Sequence, residues 1–362
     1  MKVRESLRSA GWVVVFALLA APMGCTEGDS NSEPAPQTET PAKKPADSSA
    51  AAVAEVPLGL PPLTVPEDNP MTVEKIALGK QLYFDKRLSK DGTISCATCH
   101  DPKTGWAERK PTSTGIHDKV GGRNAPTVIN AAYAPSQFWD GRMKTLEEQA
   151  LGPIENPIEM GHTLDAMVAD LSKIGGYEEQ FQQVFGTGVT KEGVAKAIAA
   201  FERTVLSGNS PYDRYQNGEE DALTEAQKRG LNLFKSAGCQ ACHAPPVFSR
   251  GSFYNAGVGT DKEKPDEGRK DFTGDDADTG KFRTPALREV AHTAPYFHDG
   301  SAATLQDAVA LMAAGGMDNP NLSGMLKAVG RRNLSEQDRQ DLVAFLGALS
   351  GKYPIIDPPQ LP

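Results

Sequence analysis

The feature that most constrains this 362-residue chain is a short pattern, Cys-x-x-Cys-His, that occurs twice. One copy begins at Cys96 and ends at His100, and the other begins at Cys239 and ends at His243. Two thiols at this spacing, with a histidine directly after the second, form the attachment motif of c-type haem. Both thiols bind the haem covalently, and the histidine is an axial ligand of the iron. The sequence therefore predicts two covalently bound haem c groups.

Three other uses of these cysteines are weaker. A thioredoxin-like redox pair has no use for a histidine after Cys99 and again after Cys242. Disulfides within the motifs would suit an exported protein, but each would close only a two-residue loop. A zinc site would have to join motifs that lie 143 residues apart. Haem attachment is the interpretation that uses all six residues.

A longer repeat relates the two halves of the chain. The segment RNAPTVINAAYAPSQFWDGRMKTLEEQALGP begins at Arg123, and FRTPALREVAHTAPYFHDGSAATLQDAVALM begins at Phe282. A shift of 159 residues superposes six identical pairs: Pro126 and Pro285, Phe138 and Phe297, Asp140 and Asp299, Gly141 and Gly300, Thr145 and Thr304, Leu146 and Leu305. We therefore expect two copies of one haem domain.

Helical patterns predominate in both halves. Thr224 and Gln227 form a predicted capping box at the start of one helix. Val194 and Ile198 belong to an apolar set with the spacing of one helical face. Because no long alternating strand pattern competes, we predict an all-α fold of two tandem cytochrome c-like haem domains related by an internal repeat. The Gly-, Asp- and Lys-rich residues 257–280 are expected to form an exposed loop.

The start of the chain predicts export. Lys2, Arg4 and Arg8 precede an apolar run from Gly11 to Ala21, which is typical of a signal peptide and short for a membrane span. Haem attachment outside the cytoplasm agrees with this prediction. We therefore expect a periplasmic protein.

Composition divides the chain into four parts. Residues 1–24 are predicted to be a signal peptide of the lipoprotein type, and Cys25 would then carry a lipid anchor to a membrane. Simple cleavage nearby, without acylation, stays open. Residues 25–66 are rich in Ala, Pro, Ser, Thr and Glu and are predicted to be a flexible tether. The two haem domains are assigned to residues 67–210 and 211–362.

Charge limits the partners. The formal net charge is −9, and no basic stripe is present to neutralise phosphates, so nucleic acid is excluded as a partner. The acidity is compatible with a basic protein partner. The sequence leaves a homodimer open.

The two haem sites are expected to differ on the side of the iron opposite the histidine. Met312 follows the Asp299 turn on a predicted helix, and methionine in this place favours electron transfer at higher potential. The 159-residue shift puts Pro153 in the corresponding place of the first half, and proline cannot ligate iron. Met317 is a substitute candidate for the ligand. We expect the second haem to be held by His243 and Met312 and the first to have a different sixth position.

Several motifs resemble those of the bacterial di-haem cytochrome c peroxidases, the family that also contains MauG-type maturases. They are the tandem haem motifs and the segments RNAPT, QFWDGR, EEQALGP, IEMG and TAPYFHDGSAATLQDAV, and the resemblance covers about residues 70 to 355. It implies a peroxidatic N-terminal haem of low potential and an electron-transferring C-terminal haem of high potential.

The resemblance also implies roles for individual residues. Glu159 matches the acid–base residue that helps to split the O–O bond, and Gln149 matches its polar neighbour. Trp139 matches a tryptophan that lies between the two haems. An interdomain calcium site would use Asn124 and the carbonyls of Thr293 and Pro295. Core packing for Trp139 and a turn-bracing role for Asn124 stay open.

The four histidines outside the haem motifs have different expected roles toward the haem iron. In the family a loop histidine occupies the distal face of the first haem at rest, and His117 lies in the corresponding loop, one residue nearer the Arg-Asn pair than the pattern. His117 is either that labile ligand or a surface histidine. His162 is a weaker candidate, His298 is expected to be structural, and His292 has no evident ligand role.

The function expected from the resemblance is peroxidase activity. Hydrogen peroxide would be reduced to water with electrons from a reduced cytochrome c or a small copper protein (a cupredoxin). One alternative is a MauG-like enzyme that oxidises residues of a partner protein. Its class carries a tyrosine where this chain has Met312, and no tyrosine lies between Tyr296 and Tyr353. The other alternative is a di-haem electron carrier.

Overall fold

The computed structural model of the chain describes residues 55–362, so the predicted signal peptide and Cys25 lie outside the described residues. The fold is mostly helical, as predicted. The helices are α1 (Val73–Phe84), α2 (Cys96–Cys99), α3 (Leu146–Glu155), α4 (Leu164–Leu171), α5 (Gly175–Phe185), α6 (Lys191–Glu202), α7 (Pro211–Gln216), α8 (Glu225–Ser236), α9 (Lys270–Thr273), α10 (Leu305–Ala313), α11 (Gly324–Gly330) and α12 (Glu336–Gly347). Within residues 55–362 the strands are one antiparallel pair, β1 (Phe253–Tyr254) and β2 (Phe282–Arg283).

The first half is built around the contact between α1 and α6. Gly79 of α1 lies so close to the Ala197 carbonyl of α6 that a Cβ atom would overlap it, so the absence of a side chain lets the helices approach. Tyr83, Trp106 and Phe201 fill the adjoining core, and the Tyr83 and Phe201 rings pack edge to face, 5.2 Å apart. Burial of these large apolar side chains is the main stabilising contribution to this half.

The second half is built around α8 and α12 in the same manner. Gly230 of α8 meets the Asp341 carbonyl of α12 at a distance that leaves no room for a Cβ atom. The predicted capping box of α8 is confirmed, because the Thr224 side chain accepts a hydrogen bond from the Gln227 amide and the Gln227 side chain accepts one from the Thr224 amide. Phe234 and Phe345 lie in the core of this half, 5.2 Å apart.

The loop 257–280 is largely exposed, as expected, but it is also tied to the rest of the protein. The Arg123 guanidinium binds both carboxylate oxygens of Asp266, at 2.7 and 2.8 Å. Lys262 forms an ion pair of 2.7 Å with the buried carboxylate of Asp299. The loop also contains the short helix α9. These contacts fasten the loop beside the segments that carry the repeat.

Both ends of the described chain differ from the sequence prediction. Residues 55–66, assigned to a free tether, are bound to the folded chain: carbonyls of Leu58, Gly59 and Pro61 accept hydrogen bonds of 2.7 to 2.9 Å. Residues 351–362, assigned to the second domain, contact the first half, where the Trp106 indole donates to the Pro354 carbonyl at 2.8 Å. Backbone carbonyls make most of these contacts, so the side-chain pattern gave no signal. No helix within residues 55–362 is long and apolar enough to cross a membrane.

Candidate active site

The first haem motif is a single helical turn. Ser95 precedes α2. Its backbone amide donates a hydrogen bond of 2.9 Å to the Thr98 hydroxyl, which fixes the start of the turn. His100 ends the turn, and its carbonyl accepts a hydrogen bond of 2.9 Å from the Tyr83 hydroxyl. Burial lowers the pKa of His100, an effect that the nearby Pro126 carbonyl partly opposes. The imidazole is therefore neutral near pH 7, as an iron ligand must be.

The second motif has the same elements. Cys239 begins a short 3₁₀ turn, and the His243 amide donates to the Cys239 carbonyl at 3.0 Å. The His243 Nδ1 atom lies 3.1 Å from the Phe248 carbonyl, which orients the ring and leaves the other nitrogen available as a ligand. Burial lowers the pKa of His243 to about 4. This imidazole is also neutral at physiological pH.

The surroundings of the four motif cysteines do not favour reactive thiolates. Burial raises the pKa of Cys99 to about 12 and that of Cys239 to about 11, so neither thiol is a reactive thiolate at neutral pH. Among residues 55–362 all four are free of disulfide bonds. The thioredoxin-like and disulfide alternatives therefore lack support in the geometry.

One large cavity connects the two motifs. Its volume is about 810 Å³, which is in the range of cofactor sites. It brings together most of the residues that the sequence singled out. Its wall includes Cys96, Cys99, His100, Cys239, Cys242, His243, Trp139, Gln149, Glu159, Met312, Asn124, Thr293 and Pro295.

The cavity also fits the charge of haem, which carries two carboxylates. Arg283 lines the cavity, and within residues 55–362 no carboxylate forms an ion pair with it. Its Nε donates only to the Phe138 carbonyl, at 3.2 Å. Burial lowers the pKa of Arg283 to about 10, which reflects an enclosed cation without a counter-ion. A half-buried cation that the bound cofactor would cover is costly unless an anionic group pairs with it.

The cavity walls of the two halves differ at one position that bears on iron binding. Helix α3 begins after Thr145 and α10 begins after Thr304, and each threonine side chain caps its helix. Pro153 of α3 and Met312 of α10 occupy the same position along these helices, and both line the cavity. The second half thus offers a thioether to its side of the cavity, whereas the first offers a ring without a ligand atom.

Glu159 lies just beyond α3, in a loop that the backbone holds firmly. The Ile116 amide donates to the Glu159 carbonyl at 2.8 Å, and the Asn156 side-chain amide donates to Glu159 Oε1 at 2.7 Å. Burial raises the pKa of Glu159, while the Arg142 charge and the Asn156 hydrogen bond partly oppose this shift. The site therefore contains a carboxyl group suited to exchange a proton.

Trp139 lies where the two halves meet. Its indole NH donates to the Asn124 carbonyl at 2.9 Å, and its own carbonyl accepts a hydrogen bond of 2.7 Å from the Arg283 amide. The Asn124 amide in turn donates to the His298 carbonyl at 2.6 Å. The Asn124 side chain donates to the Lys110 carbonyl at 2.9 Å and so links two segments of the first half.

The remaining candidate ligands lie away from the cavity or in structural contacts. His117 is a surface residue in this structure: 63% of its side chain is exposed, and its Nδ1 lies 3.6 Å from an Asp91 carboxylate oxygen. His162 is buried beside Asp170, and the His298 ring stacks on Phe282 at 3.6 Å. The cavity wall does not include His117, His292 or Met317.

The cavity wall contains further polar residues that sequence reasoning did not single out, and four of them bear on its chemistry. Arg142, Asn156, Glu202 and Arg283 all line it, together with the predicted residues. Asn156 could have been suspected because it lies three residues before Glu159. Within residues 55–362, Glu202 Oε2 has no hydrogen-bond partner and Arg283 has no ion-pair partner. No local sequence pattern reveals such an absence.

Comparisons with known proteins identify relatives over most of the chain. The sequence profile described as "Di-haem cytochrome c peroxidase" matches residues 73–221, and the cytochrome c profile matches residues 227–350. The cytochrome-c peroxidase IdrP1 of Denitromonas iodatirespirans is 40% identical over 340 residues, covering 84% of this chain and 90% of that protein. The methylamine utilization protein MauG of Methylorubrum extorquens is 39% identical over 302 residues, covering 82% and 84%.

A solved structure shares the fold as well. The crystal structure of a MauG-like protein associated with microbial copper homeostasis is 34% identical, with a TM-score of 0.73 over 82% of this chain and 95% of that one. The predicted family, the two haem domains and the two covalently bound haem c groups are thereby confirmed. The chain belongs to the family of bacterial di-haem cytochrome c peroxidases, which also contains MauG.

Proposed function

We propose that this protein is a di-haem c-type peroxidase that reduces hydrogen peroxide to water with electrons from a reduced cytochrome c. The observation that carries the proposal is the single cavity that joins both haem motifs and includes the carboxyl group of Glu159. Membership of the family and the peroxidase names of its relatives support the same reaction. A small copper protein is an alternative donor within this proposal.

The two haem groups, when bound, supply the iron at which peroxide is reduced and the redox centres that store and pass electrons. Cys96 and Cys99 would hold one group, and Cys239 and Cys242 the other. Arg283 offers a cation to their carboxylates. These residues would hold the two groups in the cavity that Trp139 also lines, and we propose Trp139 as the contact between the groups.

The first half is the proposed peroxide site. His100 would be its histidine ligand, and Pro153, at the position that corresponds to Met312, would offer no ligand atom to the iron. The second half is the proposed electron-transfer site, with His243 and Met312 as its ligands. We retain His117 as a proposed labile ligand of the first site; in the described conformation it would have to leave the Asp91 carboxylate first.

Glu159 is the proposed proton-transferring residue. Reduction of one peroxide molecule consumes two electrons and two protons, breaks the O–O bond and yields two water molecules. Glu159 would take the proton from one peroxide oxygen and deliver it to the other. Asn156 holds Oε1 of this carboxyl group at 2.7 Å, so the other oxygen is free to make that exchange, and Gln149 offers a neighbouring polar group.

The MauG-like alternative is less well supported. That class carries a tyrosine ligand where Met312 stands, and this chain has no tyrosine between Tyr296 and Tyr353. A pure electron carrier would need a sixth ligand at both irons, and Pro153 supplies none to the first. Peroxidase activity therefore accounts for more of the site than either alternative.

We propose that the halves arose as an internal repeat, with domains 67–210 and 211–362. Reciprocal hydrogen bonds support this idea: the Asn124 amide donates to the His298 carbonyl, and the Arg283 amide donates to the Trp139 carbonyl. The same 159-residue shift relates the donor Asn124 to the donor Arg283. It also relates the acceptor Trp139 to the acceptor His298. A turn in each half supports it too, since the Gln137 amide donates to the Met143 carbonyl and the Tyr296 amide to the Ala302 carbonyl.

The proposal also includes a calcium site, a cellular location and an oligomeric state. A calcium ion bound by Asn124, Thr293 and Pro295 is supported by the presence of all three residues in one cavity wall. Periplasmic localisation and a lipid anchor at Cys25 rest on the composition of the first 66 residues. The homodimer stays a prediction. Mass spectrometry of the mature N-terminus would separate acylation of Cys25 from simple cleavage.

A direct experiment tests the activity. The purified holoprotein is mixed with peroxide and reduced cytochrome c, before and after half-reduction, and oxidation of the donor is followed by absorbance. We expect continuous turnover that stops when either substrate is exhausted. A slow reaction that leaves the donor reduced and oxidises side chains of an added partner protein would support the MauG-like alternative instead.

A further inference from the structure

Glu202 is a buried carboxyl residue that the proposed mechanism does not use. It is the last residue of α6, only 5% exposed, and it belongs to the wall of the cavity that Cys96 and His100 also line. Within residues 55–362 its Oε2 atom has no hydrogen-bond partner. An ionised carboxylate in such a place is strongly disfavoured, so the group requires an explanation.

The charged and titratable groups around Glu202 do not compensate it. Arg203, the adjacent cation, is already bound by the Glu147 carboxylate through two hydrogen bonds of 2.7 and 3.0 Å. The Tyr83 hydroxyl donates to the His100 carbonyl, and the Cys96 sulfur would carry no charge once bound to haem. Burial raises the pKa of Glu202 to about 8, with Arg203 partly opposing. The carboxyl group is therefore poised to gain or lose a proton near neutral pH.

The position of Glu202 is defined by the packing of α1 on α6. A Cβ atom on Gly79 would meet the Ala197 carbonyl and the Phe201 Cβ atom, so these two residues mark the contact between the helices. Glu202 follows Phe201 directly and reaches the cavity wall beside Ile198.

The corresponding position of the second half carries no acid. A Cβ atom on Gly230 would meet the Asp341 carbonyl and the Phe345 Cβ atom of α12, which is the same contact on a second pair of helices. Leu346 follows Phe345 and lines the cavity there. Of these two equivalent positions, only the one in the first site thus carries a carboxyl group. The first site is also the one that lacks the methionine.

We propose that Glu202 binds a proton when the haem at the first motif accepts an electron, so that only this site couples electron transfer to proton uptake. One electron converts ferric to ferrous iron, and one proton from solvent converts the Glu202 carboxylate to the carboxylic acid; no other bond changes. The iron–porphyrin core of a ferric haem, apart from its two carboxylates, carries one positive charge that favours the Glu202 carboxylate, and the loss of that charge on reduction favours the acid. The inference deepens the proposed function, because peroxide reduction consumes protons at this half.

The test is a spectroelectrochemical titration of the holoprotein between about pH 6 and pH 9, a window set by the raised pKa of Glu202. The two transitions are followed separately by the EPR signals of the two haems. In the wild type we expect the potential of the first haem to fall as pH rises, approaching 59 mV for each tenfold change in proton concentration. The potential of the second haem should depend much less on pH.

Two variants and a control complete the test. Glu202→Gln keeps the shape of the side chain, and Glu202→Leu introduces the residue of the second half; both should remove most of the pH dependence at the first haem. Glu192→Gln changes an exposed glutamate of the same helix and should leave that dependence intact. Haem content and helical circular dichroism show that each variant is folded and loaded.

A pH dependence that survives both substitutions, or is absent from the wild type, would overturn the proposal. The potentials are measured without peroxide, so the outcome is separate from that of the activity assay. A protein that keeps the Glu202-dependent potential but fails to reduce peroxide would refute the proposed function and leave this inference standing.

Discussion

Replacing Glu159 with glutamine tests the proposed chemistry most directly. The amide keeps the size of the side chain and can still accept a hydrogen bond from Asn156, but it cannot take up a proton at neutral pH. Transfer of a proton by a positioned side chain is worth about 10²–10⁴-fold in rate. We therefore expect turnover to fall by that factor, equivalent to about 2.7–5.5 kcal/mol of transition-state stabilisation.

The pH dependence of the wild type should report the same group. Glu159 must be ionised to accept the first proton, so kcat/KM should fall as pH drops through its pKa. Burial raises that pKa above the ordinary value of 4.5, so the fall should begin at a higher pH than for an exposed glutamate. Asn156→Ala removes a hydrogen bond that favours the ionised form, and it should move the acid limb to still higher pH.

The assay is steady-state oxidation of reduced cytochrome c by peroxide, with absorption spectra of both haems recorded for every variant. Glu155→Gln is the matched control, because this exposed glutamate lies four residues away and should have normal activity. Wild-type turnover in Glu159→Gln, with both haems intact, would remove Glu159 from the mechanism. An unchanged acid limb in the same variant would show that another group controls the pH dependence.

Three further substitutions, two of them with a matched control variant, test separate parts of the structure. Met312→Ala should abolish the high-potential six-coordinate spectrum of the second haem and leave the first unchanged, and a surviving spectrum would refute the ligand assignment. Arg283→Met should lower the reduction potential of a haem, because the positive charge that is lost favours the reduced form. Arg283→Lys should largely retain the potential, and equal potentials in both variants would contradict this role. Gly79→Ala should reduce the free energy of unfolding by about 1–3 kcal/mol through overlap with α6, whereas Gly175→Ala, with no neighbour in contact, should not; thermal denaturation measures both.

Local patterns were sufficient to predict the two haem c groups and several helix starts. The Cys-x-x-Cys-His motif needs no distant partner to be recognised, and the Thr224 capping box of α8 is closed by residues of its own first turn. The same is true of α10, where the Thr304 side chain accepts a hydrogen bond from the Asp307 amide at 3.1 Å. Interactions that span three or four residues are visible in a sequence because both partners appear together.

Features that depend on distant contacts could not be predicted in this way. The Trp106 indole is bonded to the Pro354 carbonyl, 248 residues away, and nothing in the composition of residues 351–362 indicates that they cover the first half. Glu202 did leave a faint signal, since it lies four residues after Ile198 on an otherwise apolar helical face. Its importance becomes clear only from the three-dimensional finding that its Oε2 has no partner within residues 55–362.

The proposed duplication allows the differences between equivalent positions of the two halves to be interpreted. Two copies of one domain would begin with identical walls, so a difference at an equivalent position marks a change in the task of one copy. Pro153 against Met312 changes a potential iron ligand, and Glu202 against Leu346 changes a proton-binding group. Under the proposed ligand assignment, the first half would combine an iron that lacks a sixth protein ligand with an acid, and the second would combine a methionine ligand with an apolar wall. Peroxide reduction needs an accessible iron and protons, whereas electron transfer needs neither, so both substitutions favour the same division of labour.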